Sequence, residues 1–172
     1  MPHVGWFAAL LALALPAEAC WVEAGARYGV DPRILYGIAQ VESSLRPEAA
    51  NRSHFAHTRT YDIGLMQINS SWLPTLARWG IGERHLFDPC INIHVGAWIL
   101  ADNLRRHGDT WQAVGAYQAA CIRLKGRACQ AVRRTYRRKV YRQLPERPAW
   151  RASVAGFAGV KPPRVLRVPP HD

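Results

Sequence analysis

Stretches in which polar and apolar residues alternate are almost absent from this sequence, which argues against a fold built mainly from β-sheet. The apolar run at residues 4–15 is shorter than the roughly 20 residues that a membrane-spanning helix needs. No C-x-x-C pair occurs, so the cysteines do not favour a zinc site. What remains, with 49% hydrophobic and 20% charged residues in a chain of 172, is typical of one globular domain with extra sequence at each end.

Acidic residues are also missing from residues 121–144, although this segment contributes much of the formal net charge of +11. An anionic partner is one explanation, with an anionic surface contacted through the basic helix at residues 123–142. A solvated helix face that only confers solubility is the other. The positive charge also suggests a nucleic-acid-binding protein. The export predicted in the next paragraph argues against that function, so we expect no nucleic-acid partner. The basic residues are Arg123, Lys125, Arg127, Arg133, Arg134, Arg137, Arg138, Lys139 and Arg142.

Residues 1–19 have the pattern of a cleavable signal peptide, although their first three residues contain neither Lys nor Arg. The apolar run is followed by Ala17 and Ala19, the small residues that a signal peptidase reads. We therefore predict export to the periplasm and a mature chain that begins at Cys20. Processing as a lipoprotein at Cys20 is the alternative.

An even number of cysteines in an exported chain predicts disulfide bonds. We favour the pairs Cys20 with Cys90 and Cys121 with Cys129, because the second pair would close a small loop around Lys125-Gly126. A metal site is the competing interpretation of the cysteines. We expect neither a metal nor a cofactor.

Capping signals predict a string of helices and, at most, a very small β element near residues 55–69. From Pro145 onward, frequent prolines predict a mobile tail that runs to residue 172. The folded domain is thus expected to span residues 20–144. The predicted helices are residues 20–28, a helix opened by Asp31-Pro32, one capped by Ser70-Ser71, one opened by Asp88-Pro89, one from Asp109-Thr110 to about residue 121, and the basic helix at about residues 128–143.

Glu42 stands near the end of the helix that Asp31-Pro32 opens. Ile38 and Leu35 precede it by four and seven residues, so the carboxyl lies on the apolar face of that helix. Apolar surroundings raise the pKa of a carboxyl, which suits a general acid working near neutral pH. Glycosidases ordinarily need a second carboxylate, and the nearest downstream acid is Asp62, for which ordering the following loop is the other explanation.

Three ordered motifs resemble those of the lytic transglycosylases: Glu-Ser-Ser at residues 42–44, Gly-Leu-Met-Gln-Ile-Asn at residues 64–69 and Ala-Tyr-Gln-Ala at residues 116–119. The resemblance covers residues 20–142 and is closest to small exported members that accompany conjugation, pilus and type III or type IV secretion machinery. It implies a mainly α, lysozyme-like (α+β) fold with a substrate cleft. It also implies cleavage of the β-1,4 bond between N-acetylmuramic acid and N-acetylglucosamine in peptidoglycan, with formation of a 1,6-anhydro ring.

The resemblance implies a role for each motif residue. Glu42 would be the catalytic residue, serving as both acid and base. Tyr117 would belong to the substrate-binding residues, and its hydroxyl would approach and steady the catalytic carboxyl. The other residues implied to bind substrate or to order its site are Ser43, Met66, Gln67 and Asn69.

The third motif departs from the family pattern of Ala-Tyr-Asn, a small residue and Gly. Gln118 replaces the Asn, and Ala120-Cys121 stands where the Gly is expected. We expect a slightly different backbone beyond Tyr117, secured by the bridge from Cys121 to Cys129.

The partners implied are peptidoglycan glycan strands and an envelope-spanning secretion or conjugation apparatus, with the protein itself a monomer. Two alternatives stay open at this point. One is a lysozyme-type hydrolase that uses Asp62 as its second carboxylate, and the other is a non-catalytic wall-binding assembly factor. His54 and His57 have metal-like spacing but no third ligand in the sequence, so we interpret them as loop histidines.

Overall fold

The computed structural model describes residues 17–108, 110–119, 121 and 124–146, and of residues 17–19 only the backbone. Residues 1–16 of the predicted signal peptide and residues 147–172 of the predicted tail lie outside the described residues, so both segments stay predictions. No helix within the described ranges combines the length and the apolar character needed to cross a bilayer. The helices are α1 (Ala17–Tyr28), α2 (Pro32–Ser43), α3 (Phe55–Thr58), α4 (Leu73–Ala77), α5 (Pro89–His107), α6 (Thr110–Gln118) and α7 (Gly126–Arg142), with 3-10 turns at Ser70–Trp72 and Glu83–Phe87.

Side-chain caps begin two of the helices, α2 and α5, as predicted. The Asp31 carboxylate accepts a hydrogen bond from the backbone N–H of Arg33 at 2.9 Å and so caps α2. Asp88 caps α5 in the same way through the backbone N–H of Ile91, at 2.9 Å. Gly108 ends α5 with a left-handed φ of 66°, a conformation that costs glycine little.

The segment after residue 68 differs from the prediction that Ser70-Ser71 caps a single helix. Asn69 provides the cap, because its side-chain oxygen accepts from the backbone N–H of Ser71 at 3.1 Å. A 3-10 turn follows, and α4 begins only at Leu73. The side chain of the last residue in the second motif therefore helps to fix where the helical segment starts.

A three-stranded antiparallel sheet is the only β structure in the described part of the chain. Its strands are β1 (Ala50–Asn51), β2 (Asp62–Ile63) and β3 (Ile68–Asn69), with β2 in the centre. The small β element is thus confirmed, although β1 begins ahead of the predicted window at residues 55–69. The register sets Asp62 opposite Asn69 and turns residues 64–67 into a tight loop between β2 and β3.

Helix α5 forms the centre of the core, buried along most of residues 92–100 and packed against α1, α2 and α6. Helix α7 packs against α2 and α6. Both predicted disulfides are confirmed: Cys20–Cys90 joins α1 to the start of α5, and Cys121–Cys129 joins the segment after α6 to the first turns of α7. Together these contacts bring α2, the β2–β3 loop, α6 and α7 around one group of side chains.

Candidate active site

Glu42 is half-buried in the last turn of α2, whose Ile34, Leu35 and Ile38 lie in the core. One of its oxygens, Oε1, accepts a hydrogen bond from the hydroxyl of Tyr136 on α7. Burial of the carboxyl, which disfavours its charged form, raises the pKa of Glu42 to about 7. Near neutral pH the group can therefore give up a proton and take one back.

Charged neighbours adjust the Glu42 pKa around the value that burial sets. The negative charge of Asp62 raises this pKa further, because two nearby carboxylates repel each other. The hydrogen bond from Tyr136 and the positive charge of Lys139 act in the opposite direction, since both favour the ionised carboxylate. The pKa of Glu42 is thus set by opposing effects, of which burial is the largest.

Tyr136 was not singled out from the sequence, because it lies in the basic segment. It is 1% exposed, and burial raises the pKa of its phenol well above the usual value, so the group is a neutral donor. A signal was present, since the inward face of α7 follows helical spacing within an otherwise polar stretch. The buried residues of α7 are Cys129, Arg133, Tyr136 and Val140.

Tyr117 lies in the same neighbourhood but makes a different contact from the one predicted. Its hydroxyl donates to the backbone carbonyl of Met66 at 3.0 Å, and the hydrogen bond to the Glu42 carboxyl comes from Tyr136 instead. Burial, followed by the negative charge of Glu42, raises the pKa of Tyr117 well above its usual value. The prediction that Tyr117 itself steadies the carboxyl is therefore corrected: Tyr117 holds the loop beside it.

Asn92 is a second functional position that sequence reasoning missed. It is fully buried on α5, and its Oδ1 accepts from the backbone N–H of Met66 at 2.7 Å. Its Nδ2 donates to the carbonyls of Ile63 at 3.0 Å and Leu86 at 2.6 Å. One amide thus fixes the start of the β2–β3 loop. The signal was a polar residue within the apolar positions of α5.

Gly64 allows the β2–β3 loop to lie this close to α5. Its φ is +75°, and a Cβ atom at this position would be 2.2 Å from the carbonyl oxygen of Leu86 and 2.3 Å from Nδ2 of Asn92. Both distances are far inside van der Waals contact, so any side chain would displace the loop. The β2–β3 loop can therefore approach α5 this closely only with glycine at position 64.

Ser43 and Met66 were expected at the substrate site, but both are buried. The Ser43 hydroxyl, on a residue 4% exposed, donates to the carbonyl of Leu65 at 2.7 Å and accepts from the backbone N–H of Arg46 at 3.0 Å. Met66 is fully buried, with its sulfur against Gly96. Direct substrate contact is corrected for both residues: they fasten the second motif to the end of α2, beside Glu42.

Gln67 and Asn69 are half-buried and make hydrogen bonds within the loop. The Gln67 amide nitrogen donates to the carbonyl of Gly64 at 2.8 Å and to that of Ala49 at 3.2 Å. The Asn69 amide nitrogen donates to the carboxylate of Asp62 at 2.7 Å. Both side chains thus order the sheet and its loop, and any contact they make with substrate stays a prediction.

Asp62 has the loop-ordering role that the sequence offered as one explanation, and its use as a second catalytic carboxylate stays a prediction. It orders the loop through Asn69, and its second oxygen lies 3.6 Å from Nε2 of His54. Its charge also acts on Glu42, raising the pKa of that carboxyl. The site therefore contains a second carboxylate, itself engaged by two neighbours.

The altered third motif leads into a segment held from α7. Helix α6 ends at Gln118, which is exposed, and Cys121 has a left-handed φ of 56°. The guanidinium of Arg133 donates to the carbonyl of Ala119 at 3.0 Å, and the Cys121–Cys129 bridge holds the next described residue. Ala120 lies outside the described residues. Arg133, counted among the basic residues available to a partner, is 8% exposed and has this structural role instead.

The assembled group can perform proton transfer. It provides one carboxyl that is half protonated near pH 7, a phenol bonded to one of its oxygens and a carboxylate close enough to influence it. A glycosidic oxygen needs a proton as its bond to carbon breaks, and a carboxyl with this pKa is suited to supply it.

Comparison with known proteins identifies relatives across most of the chain. The model of a family described as the transglycosylase SLT domain matches residues 19–140. The invasion protein IagB of Salmonella typhi is 39% identical over 134 residues, covering 76% of this chain and 79% of that protein. A peptidoglycan-binding-like protein of Escherichia coli O157:H7 is 39% identical over 112 residues, covering 62% and 67% respectively. The X polypeptide of Escherichia coli K12 is 35% identical over 155 residues, covering 89% and 80%.

Proposed function

The chain belongs to the transglycosylase SLT domain family, has its lysozyme-like fold and is a peptidoglycan lytic transglycosylase, and on that premise we propose that Glu42 alone serves as acid and base. The bond cleaved is the β-1,4 linkage between N-acetylmuramic acid and N-acetylglucosamine. The product carries a 1,6-anhydro ring on the muramic acid. The observation that carries this proposal is the Glu42 pKa of about 7, raised chiefly by burial.

The first step breaks the glycosidic bond. Protonated Glu42 donates its proton to the oxygen between the two sugars, and the bond from that oxygen to C1 of the muramic acid breaks. N-acetylglucosamine leaves with a free hydroxyl, and positive charge develops at C1. Glu42 is then a carboxylate beside that charge, and the negative charge of Asp62 adds to the stabilisation.

The second step restores the enzyme. The Glu42 carboxylate takes the proton of the muramic acid's own 6-hydroxyl, and O6 forms a bond to C1. The ring closes without water, and Glu42 is again protonated. A single group can serve both steps because its pKa lies near the working pH, so neither protonation state is strongly disfavoured.

Tyr136 determines which oxygen of Glu42 carries the mobile proton. Its hydroxyl donates to Oε1, and a protonated carboxyl has one carbonyl-like acceptor and one O–H donor. With Oε1 occupied as the acceptor, Oε2 carries the proton. The hydrogen bond thus reserves Oε2 for the transfer to and from the sugar.

Purified sacculi provide the direct test. The wild-type chain is expected to release soluble muropeptides with 1,6-anhydro ends, identified by mass spectrometry, and Glu42→Gln is expected to abolish their release while the variant remains folded. Glu48→Gln is the matched control, since Glu48 is exposed and lies outside the site. Unchanged release by Glu42→Gln would contradict the assignment of Glu42.

A lysozyme-type hydrolase is the second candidate, favoured by the electrostatic influence of Asp62 on Glu42. In that reaction water attacks C1, and the products carry ordinary reducing ends. The same mass spectra separate the two reactions, because addition of water changes the product mass. A hydrolytic product that disappears in Asp62→Asn would replace the single-carboxyl mechanism.

The cellular role we propose is local opening of the wall in the periplasm, so that an envelope-spanning secretion, pilus or conjugation apparatus can pass. Its support is the likeness to a protein named for invasion and the pattern of an exported chain at residues 1–19. In the source organism, a chromosomal Glu42→Gln exchange is expected to reduce assembly of such an apparatus without affecting growth. Recovery of the chain in the cytoplasmic fraction would contradict the proposed location.

A further inference from the structure

Helix α7 presents a row of arginines to solvent on the side opposite its buried face. The spacings of seven, four and four residues place Arg127, Arg134, Arg138 and Arg142 along one side of the helix, and all four are exposed. No salt bridge among the described residues involves any of them. Like charges four residues apart destabilise a helix. In the described structure no acidic neighbour offsets this repulsion between the arginines.

Two aromatic rings stand beside the arginine row. Tyr141 is 65% exposed, and its ring meets that of Trp111 edge-on at a centroid distance of 5.6 Å. Arginine guanidinium groups bind phosphate oxygens in pairs of hydrogen bonds, while Tyr and Trp favour the boundary between water and lipid. The two rings and the neighbouring arginines border an open recess of about 390 Å³, lined by Trp111, Arg134, Arg137, Arg138, Tyr141 and Arg142.

We propose that this arginine face docks the enzyme on a membrane surface rich in anionic phospholipid. The guanidinium groups contact lipid phosphates, and the Tyr141 and Trp111 rings lie at the level of the headgroups. This proposal rests on the proposed export, since an exported wall enzyme works beside a membrane. The aromatic pair favours lipid over the polyanions of the wall, because those polymers offer no apolar layer for the rings.

The geometry of α7 gives such docking a defined orientation. Tyr136 is two residues from both Arg134 and Arg138, which places it about 200° around the helix from each of them. Tyr136 points inward and holds Glu42, while the arginine row points outward. A domain seated on the membrane through its arginine face therefore holds Glu42 on the far side of α7, away from the lipid.

Vesicle binding by the purified predicted mature chain, which begins at Cys20, tests the proposal. The probe is vesicles of equal parts phosphatidylglycerol and phosphatidylcholine, compared with vesicles of phosphatidylcholine alone, in a sedimentation assay. The triple variant Arg134→Gln, Arg138→Gln, Arg142→Gln is expected to lose affinity for the anionic vesicles on the order of 100-fold, because each basic residue near such a surface contributes about fivefold. Tyr141→Ser is expected to cause a smaller loss.

The matched control removes the same charge elsewhere, through Arg59→Gln, Arg78→Gln and Arg84→Gln, all exposed positions. This control and Glu42→Gln should bind anionic vesicles as the wild type does, and the α7 triple variant should still release muropeptides from sacculi. Three results would overturn the proposal: no vesicle binding by the wild type, equal losses in both triple variants, or preference for duplex DNA over anionic vesicles. Since vesicle binding needs no catalysis, it can fail or succeed independently of the proposed reaction.

Discussion

Tyr136 donates a hydrogen bond to Oε1 of Glu42 across 94 positions of sequence. The contact joins the last turn of α2 to the middle of α7 and gives the half-buried carboxyl a neutral partner inside the domain. Because the phenol pKa is raised well above its usual value, Tyr136 stays a donor whichever protonation state Glu42 adopts. The pair therefore links the packing of α7 to the proton affinity of Glu42.

Tyr136→Phe is expected to shift the pH dependence of muropeptide release. In the wild type, the hydrogen bond from Tyr136 lowers the pKa of Glu42. Without it that pKa rises, and the loss of activity on the alkaline side moves to higher pH. The maximal rate should fall by about 10- to 100-fold, because Oε2 is no longer reserved for the proton. The measurement is release from sacculi across pH.

Tyr117→Phe is the matched control for that shift. Its hydroxyl bonds to the Met66 carbonyl and not to the carboxyl, so the midpoint of the alkaline limb should stay in place even if the rate falls. Equal shifts in both variants would show that the Tyr136 hydrogen bond is not the cause.

Glu42→Gln is expected to change the pH dependence of stability. The folded-state pKa of about 7 lies above the ordinary value of 4.5 for a glutamate, so the folded state binds more protons between these values and wild-type stability falls as pH rises through this window. Gln removes that dependence and should raise the free energy of unfolding, relative to wild type, by up to about 3 kcal/mol at pH 8. At a pH below 4 the difference should vanish, and thermal unfolding at both pH values checks the sign.

Asp62→Asn is expected to lower the Glu42 pKa, because a negative charge that raises it is removed. The alkaline limb of activity should then move to lower pH, opposite to the shift in Tyr136→Phe. The 1,6-anhydro product should persist, with a rate loss within about 100-fold, as electrostatic support is removed but the acid remains. Loss of the anhydro product itself would contradict a single-carboxyl mechanism.

Asn92→Ala is expected to destabilise the domain by about 2–4 kcal/mol, because it leaves one backbone N–H and two carbonyls without their buried partner. Muropeptide release should fall as well, since the β2–β3 loop loses its attachment to α5. Asn103→Ala on the same helix, at a position only half-buried, is the control and should cost far less. Urea unfolding measures both variants.

The two disulfides are expected to contribute unequally to stability. Replacing both members of a pair by Ser should cost about 4 kcal/mol for Cys20–Cys90 and about 2.5 kcal/mol for Cys121–Cys129, since the sequence separations are 70 and 8 and a longer loop gains more entropy when it is freed. Only the second pair of substitutions should also alter activity strongly at a temperature where the domain stays folded, because that bridge holds the segment that follows the third motif to α7. Equal costs would contradict the loop-entropy account.

Most of the features that could be predicted from the sequence depend on near neighbours; the Cys20–Cys90 bridge, with a separation of 70, is the exception and was predicted from the even number of cysteines in an exported chain. Asp31 and Asp88 cap helices through residues two and three positions away, and Glu42 shares its helix face with Ile38 and Leu35. Such relations follow from helical geometry alone.

The features that were missed depend on contacts between distant segments. Tyr136 lies among arginines in the sequence and Asn92 among apolar residues, so neither pattern indicated a role in the site. The contact of each with the site forms only when α7 and α5 pack in the folded domain. Ser43 and Met66 were assigned to the substrate for the same reason. A motif identifies residues that matter but does not say which of them face solvent, and burial is decided by the whole core.

The way in which α2 ends has an electrostatic consequence for the reaction. Ser44 and Leu45 follow Glu42 by two and three residues and have φ values of 55° and 60°, so the helix stops immediately after the carboxyl. The last turn of any helix carries partial negative charge from its aligned peptide dipoles. A carboxylate there is repelled and a carboxylic acid is not, so the end of α2 adds to burial in holding the proton until the sugar accepts it.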